Sequence, residues 1–270
     1  MPAGALSSVK RSLSITSCEK AMVARSSALI LTLIGLVSGC SVDRPPVLPS
    51  GAFVAVINAS SADDRIWDNN YCAGVLVAKN AVATATHCVD SGPLPDVVVG
   101  AMNLCTDQGE RRHVKNAIFG DGEALELTLL VLEDPVKADY AITARESVSS
   151  DLVATGWGRT AVNAPRKCDS KLVSLTSTPG SDCEATLRAA TASSAAPKST
   201  VCLQANGETN TCIGDSGGGA YDVVGGDLRV HGITLGGLGC TTAEPGLYAG
   251  PRAIDALLTQ AALEPLSLPN

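Results

Sequence analysis

The chain has 270 residues, of which 45% are hydrophobic and 17% are charged, so it is long enough for one well-cored domain or for a two-barrel domain with tails. The net charge of -7, without any stripe of basic residues, argues against nucleic-acid binding. The 26 glycines and 14 prolines, against only 3% aromatic residues, favour short strands joined by turns. An all-β domain is therefore expected.

Residues 1–39 have the layout of a signal peptide. Arg25 precedes an apolar run over 28–37 that is too short to span a bilayer, and Met22 is an alternative start of the chain. The run ends in Val-Ser-Gly-Cys, which resembles the lipobox of bacterial lipoproteins. This resemblance implies that Cys40 is lipidated and holds the protein on a membrane. The alternative is an ordinary secretory signal in which Cys40 is incidental.

The remaining boundaries follow from composition. Residues 40–51 are rich in proline and small residues and are expected to form a linker. The folded domain is expected over residues 52–263, followed by a tail at 264–270. The ten cysteines suit an oxidising compartment, and no Cys-x-x-Cys pair indicates a metal site, so no metal is expected.

The first candidate for chemistry is a histidine at the end of a predicted hairpin. Two β-type runs, 74–78 and 81–86, flank a two-residue turn, and Cys72 and Cys88 then face each other where a disulfide can clamp the strands. A lone histidine beside a cysteine is usually structural. The Thr-His-Cys sequence after an apolar hairpin nevertheless resembles the histidine motif of chymotrypsin-like serine peptidases, which implies that His87 is the general base.

The second candidate is the Gly-Asp-Ser-Gly-Gly sequence at 214–218, which resembles the nucleophile motif of the same family. A glycine-rich turn without chemistry is the alternative for this motif alone. With His87 earlier in the chain, the resemblance implies that Ser216 is the nucleophile. It also implies that the backbone amides of Gly214 and Ser216 form the oxyanion hole.

The resemblance covers about residues 52–263 and implies two packed six-stranded antiparallel β-barrels with a C-terminal helix. Within that range, Gly-Trp-Gly at 156–158 fits the start of the second barrel, and a helical repeat of apolar residues follows residue 253. The family pattern pairs Cys183 with Cys202 and Cys212 with Cys240. Cys105 and Cys168 remain, either as a fourth pair or with a free thiol.

The family's catalytic acid is an aspartate, and here the matching position holds Glu126. A glutamate can also fix the imidazole tautomer, although its extra methylene shifts the geometry. A serine that usually holds this acid is replaced by Leu235, which cannot donate a hydrogen bond. The two changes compensate each other or record a loss of activity, and Asp121 is a less well-aligned alternative acid.

Activation is expected to be unusual. Relatives often pair a newly cut N-terminus with the aspartate before the nucleophile, which is Asp215 here, but no such terminus is evident. We expect an internal donor or hydrogen bonds to order the loop through Asp215 instead, without zymogen cleavage.

The specificity pocket is expected to take a neutral side chain. Asn210 stands at the pocket base where trypsins have an aspartate, Gly237 and Gly246 leave the walls open, and Gly236 replaces an aromatic residue.

The sequence therefore predicts a monomeric serine endopeptidase that acts on protein or peptide substrates, without a cofactor, in the bacterial cell envelope or as a secreted protein. His113 and His231 have no metal-ligand neighbours at useful spacing and are expected to be bystanders. The alternative is a catalytically inactive or weakened relative that serves as a binding module. It is motivated by Glu126, Leu235, Gly236 and the missing activation terminus.

Overall fold

The computed structural model describes most of the predicted domain, namely residues 47–59, 66–144, 151–178, 183, 199–207, 209–237, 239–240 and 244–262. The predicted signal peptide, the lipidation residue Cys40, most of the linker and the tail at 264–270 lie outside the described residues. No helix among the described residues has the length and hydropathy required to cross a membrane.

The first six strands close into an antiparallel barrel with the order β1-β2-β3-β6-β5-β4. The strands are β1 Val54–Ile57, β2 Asn70–Ala78, β3 Ala81–Ala85, β4 Asp96–Val99, β5 Glu110–Phe119 and β6 Leu127–Leu132. A short helix, α1 Ile66–Asn69, precedes β2. The predicted hairpin of β2 and β3 is confirmed, and a 3-10 turn at Thr86–Cys88 follows it.

The second barrel follows the order β11-β8-β9-β10-β13-β12, and pairing of β11 with β12 closes it. Its strands are β8 Leu152–Gly156, β9 Lys171–Ser177, β10 Thr200–Ala205, β11 Gly219–Val224, β12 Asp227–Gly237 and β13 Gly246–Ala249. A two-residue strand, β7 Ile142–Thr143, runs parallel to β12. The prediction of two six-stranded barrels is therefore confirmed.

Apolar side chains form three buried clusters because alternate residues of each strand point to opposite faces. On β6, Leu130 and Leu132 join a cluster made by the first barrel, while Leu127 and Leu129 face a larger cluster shared by both barrels. A third cluster belongs to the second barrel and includes Tyr248. The shared cluster holds the two barrels against each other.

The C-terminal helix α2, Pro251–Gln260, packs on both barrels. Its buried residues Ile254, Leu257 and Leu258 belong to the shared cluster, which includes Leu127 of β6. Gln260 also donates from Nε2 to the carbonyl of Phe119 at 3.0 Å. The apolar repeat predicted the helix, but only the barrel arrangement determines what it covers.

Four disulfides join Cys72 with Cys88, Cys105 with Cys168, Cys183 with Cys202, and Cys212 with Cys240. No described cysteine is free. Cys105 therefore pairs with Cys168, and four disulfides fit an extracellular, oxidising environment.

Candidate active site

The loop that carries Ser216 lies against the first barrel, although it belongs to the second. The carbonyl of Ser216 accepts a hydrogen bond from the amide of Ala73 on β2 at 2.8 Å, and the Sγ atom of Cys88 lies 3.8 Å from the same oxygen. Gly217 has a φ of 83°, and a Cβ there would collide with the Ala73 carbonyl and the Thr84 hydroxyl. This contact places Ser216 at the junction of the barrels.

Two backbone amides of this loop differ from their neighbours in their hydrogen bonding. The amides of Asp215, Gly217 and Gly218 donate to Cys212, Thr234 and Asp215 carbonyls. Within the described part of the chain, by contrast, the amides of Gly214 and Ser216 have no hydrogen-bond acceptor. These two donors on either side of Asp215 are available to a negatively charged oxygen.

Asp215 is the most enclosed charged group of the loop, and its side chain is only 1% exposed. Its Oδ2 atom lies 2.5 Å from Nζ of Lys171, which is 13% exposed, and accepts the amide of Cys212 at 2.8 Å. Its Oδ1 atom accepts the amide of Gly158 at 2.8 Å. Burial raises the pKa of Asp215, and the Lys171 ammonium and the two amides oppose this effect.

The ion pair between Lys171 and Asp215 is fixed by contacts of both residues. The Lys171 ammonium also donates to the carbonyls of Arg159 at 2.6 Å and Asn210 at 3.0 Å. The glycines 156 and 158 make room for the carboxylate, because a Cβ at either position would collide with Asp215. Lys171 was not singled out from the sequence, since a lysine at the start of a strand carries no local sign of burial.

His87 lies in the 3-10 turn beside the first disulfide. A ring nitrogen of His87 and the sulfurs of Cys72 and Cys88 lie within 4.8 Å of one another. The sulfurs are bonded to each other, so this group is not a metal site. The histidine side chain is exposed, and the disulfide connects its position to the carbonyl of Ser216.

Glu126 reaches this region through its backbone. Its carbonyl accepts the amide of Thr86, the residue before His87, at 2.9 Å. Its side chain is exposed, and among the described residues no hydrogen bond or ion pair joins the side chains of Ser216, His87 and Glu126. Leu235 is half-buried and packs against both the shared cluster and the first-barrel cluster.

A cavity of about 280 Å³ opens beside Ser216. Its polar lining includes Thr211 and Thr234, its wall includes Gly237, and the Cys212–Cys240 disulfide borders it. No charged side chain lines the described part of this cavity. The cavity is therefore suited to a neutral side chain.

Asn210 does not line this cavity, although it was expected at the base. Its Nδ2 donates to the carbonyl of Glu244 at 3.0 Å, and its Oδ1 accepts the amide of Thr211 at 2.8 Å. Thr211 takes the lining position, and its hydroxyl lies 3.1 Å from that of Tyr248. Gly246 lies against the same two side chains, where a Cβ would come within 3.0 Å of the Tyr248 ring.

The other histidines lie away from this loop in the chain and pair with aspartates. His113 on β5 lies 2.7 Å from Asp96, and His231 on β12 lies 3.1 Å from Asp222. Burial lowers the pKa of His231, and Asp222 partly opposes this. Asp121, the alternative acid, is exposed, and its backbone amide donates to Oε1 of Gln260 at 3.2 Å.

Two closed antiparallel barrels with a serine-bearing loop at their junction define the chymotrypsin-like class of fold. A family model described as Trypsin matches residues 46–254, which is most of the chain. The chain therefore belongs to the trypsin family of serine peptidases.

Individual relatives agree with this assignment. Chymotrypsin-like elastase family member 1 from Rattus norvegicus is 29% identical over 196 residues, covering 64% of this chain and 71% of that protein. Brachyurin from Leptuca pugilator is 26% identical over 221 residues, covering 74% of this chain and 92% of that protein. Serine protease Hayan from Drosophila melanogaster is 28% identical over 265 residues, covering 87% of this chain but only 39% of that protein. The family supports serine endopeptidase activity in general.

Proposed function

We propose that the protein hydrolyses peptide bonds through an acyl-enzyme on Ser216. The observation that supports this most is the loop around Ser216, in which a buried Asp215 fixes the backbone and the amides of Gly214 and Ser216 remain available. Such donors stabilise the negative charge that develops on a carbonyl oxygen during acyl transfer.

The proposed reaction has two halves. His87 accepts the hydroxyl proton of Ser216 as Oγ attacks the carbonyl carbon, and then gives that proton to the departing amine as the peptide bond breaks. In the second half, His87 takes a proton from water, the hydroxide attacks the acyl group, and Ser216 recovers its proton. Proteins or peptides are the proposed substrates, and this sequence of steps requires no cofactor.

Glu126 is the proposed orienting acid for His87. Its backbone is adjacent to the turn that carries His87, and a glutamate side chain has enough rotational freedom to approach the imidazole when substrate covers the site. Leu235 offers this carboxylate no hydrogen bond. We therefore propose an orienting effect weaker than that of a buried acid.

The loop is proposed to be ordered without proteolytic activation. Lys171 supplies an internal ammonium to Asp215, which is the charge that a newly cut N-terminus supplies in relatives. The uncut chain is then the active form.

The preferred residue before the scissile bond is proposed to be neutral, because among the described residues Thr211 and glycines, and no charged side chain, border the cavity. Asn210 supports the cavity by accepting the amide of Thr211, and Gly237 and Gly246 leave room for the substrate side chain. The protein is proposed to be a monomer. Its proposed location is the bacterial cell envelope, where Cys40 anchors it, or the outside of the cell as a secreted form.

The direct test is covalent labelling of the protein, purified from expression of the full sequence, with a fluorophosphonate probe. We expect labelling of wild type and none of Ser216→Ala, because only an activated serine reacts. Mass spectrometry of the labelled peptide should identify Ser216. Labelling that persists in Ser216→Ala contradicts the proposed nucleophile.

A second candidate function is a binding module without useful catalysis. The exposed Glu126 side chain, which has no bond to His87 within the described residues, favours it. This candidate predicts that correctly disulfide-bonded protein is not labelled and does not hydrolyse any peptide in a mixed library. Labelling at Ser216 with peptide turnover contradicts it.

A further inference from the structure

We propose that Arg166, stacked on Trp67 beside the oxyanion loop, binds an acidic side chain of the substrate on the leaving-group side of the scissile bond. The inference rests on the proposed peptidase function and names the substrate class of the same site: peptides with Asp or Glu shortly after the cleaved bond.

The first step is the position of Arg166. Its Cδ atom lies 3.7 Å from where a Cβ of Gly214 would stand, so the side chain runs along the outside of the oxyanion loop. Its Nη1 donates to the carbonyl of Asn70, the first residue of β2. Cys72 and Ala73 follow on the same strand, and Ala73 binds the carbonyl of Ser216. Arg166 therefore bridges the two elements that flank the nucleophile.

The second step is the direction of the substrate. The side chain before the scissile bond enters the cavity bordered by Thr211 and Gly237, which Arg166 does not line. The departing amine must leave toward His87, which protonates it. His87 lies next to the Cys72–Cys88 disulfide, on the β2 side of Ser216. The residues after the bond consequently pass the start of β2, where Arg166 is held.

The third step is the availability of the guanidinium. Nη1 is used by Asn70, but within the described residues Nε and Nη2 of Arg166 have no acceptor. The group is half-buried and lies 4.7 Å from the centre of the Trp67 ring, which holds it without using its N–H donors. Two free donor groups in a fixed plane suit a carboxylate.

Charged groups of both signs lie near Arg166. Burial lowers the pKa of Arg166, and the positive charge of Arg159 lowers it further, while Asp68 opposes these effects. Arg159 is attached to the same loop through its amide, which donates to the carbonyl of Ile213 at 2.9 Å. Burial raises the pKa of Tyr71, next to Asn70, to about 12, so its phenol adds no negative charge at neutral pH. Arg166 and Arg159 are the positive groups here, and Asp68 and Asp107 line the cavity that Trp67 also borders.

The test compares peptides that differ only in the second residue after the cleaved bond, which is Glu, Gln or Lys. A substrate library first supplies a good neutral residue before the bond. We expect kcat/KM of wild type to be about three- to tenfold higher for Glu than for Gln, and lower for Lys, as for a partly exposed ion pair. Arg166→Glu should invert the order of Glu and Lys.

Lys167→Glu is the matched control, because it makes the same charge change at the next, exposed position and should keep the preference for Glu. Arg166→Gln, which keeps a donor for Asn70, should bring the Glu to Gln ratio to about one. Equal rates for all peptides in wild type, or a preference unchanged in both Arg166 variants, overturn the inference and leave the peptidase proposal standing. Absence of hydrolysis together with absence of fluorophosphonate labelling overturns the proposed function itself, and this inference with it.

Discussion

The carboxylate of Asp215 is 1% exposed and accepts three donors, from Lys171, Gly158 and Cys212, whereas the Glu126 side chain is exposed and has no partner within the described residues. Burying a carboxylate is costly unless it is paired, so the Asp215 region requires one arrangement of its loop. An exposed glutamate costs little in any rotamer. The loop around Ser216 is therefore held in one arrangement, whereas no bond from the Glu126 side chain holds His87 within the described residues.

Lys171→Met is the change with the largest expected effect. It leaves Asp215 buried without its ammonium, so we expect the free energy of unfolding to fall by about 3–5 kcal/mol and the labelling rate of folded protein by about 10²- to 10³-fold. Urea unfolding and fluorophosphonate kinetics measure these quantities. Lys167→Met, at an exposed lysine, is the matched control and should change neither. A fully active, stable Lys171→Met protein would contradict the proposal that the Lys171 ammonium orders the loop through Asp215.

Glu126→Gln should have a much smaller effect on catalysis. Loss of a buried orienting acid costs about 10⁴-fold in kcat, but an exposed side chain that orients His87 only part of the time should cost about tenfold. Peptide hydrolysis by the two proteins at equal active-site concentration measures the ratio. A loss near 10⁴-fold would mean that Glu126 holds His87 as firmly as a buried acid does.

The double variant Glu126→Asp/Leu235→Ser should give the acid near His87 a hydrogen-bond partner, as the Asp215 carboxylate already has. The serine hydroxyl supplies a donor that Leu235 lacks, and the shorter acid matches the family pattern. We expect kcat/KM to rise about threefold to tenfold, in line with one added hydrogen bond to a charged group. Leu235→Ser alone serves as the control, because without the shorter acid it should lose apolar packing and gain no activity.

His231 is a buried histidine away from the Ser216 loop in the chain. Its titration should change the free energy of unfolding and leave peptide hydrolysis unchanged. Burial lowers its pKa from the ordinary 6.5, Arg229 lowers it further, and Asp222 opposes both. Below pH 6.5 the unfolded chain therefore binds more protons than the folded protein, so the free energy of unfolding decreases as the pH falls.

Urea unfolding at pH 7.5, 6.5 and 5.5 measures this decrease. His231→Gln should reduce the pH dependence, and Asp222→Asn should steepen it because the opposing carboxylate is removed. A pH dependence that is identical in wild type and His231→Gln would contradict the lowered pKa.

The local patterns of the sequence predicted single elements well because each element depends on neighbours in the chain, whereas the two barrels were implied by the resemblance to a known family. The runs around the Lys79-Asn80 turn predicted the β2-β3 hairpin, and the apolar repeat predicted helix α2. The motifs also located His87 and Ser216 as candidates. Asn210 shows where motif-based prediction ends. Its motif position indicated the base of the pocket, whereas its side-chain amide donates to the carbonyl of Glu244 and accepts the amide of Thr211.

By itself, the sequence determined the all-β class, the hairpin and the serine motif, since these follow from residue types at short separations. The resemblance to a known family added the expectation of an internal donor or hydrogen bonds at Asp215. Only the tertiary structure identified that partner as Lys171, 44 residues earlier by number, and placed Arg166 beside Gly214. Both contacts join residues that share no periodic pattern. Ion pairs across a closed barrel depend on strand order and register, and a sequence motif carries no information about either.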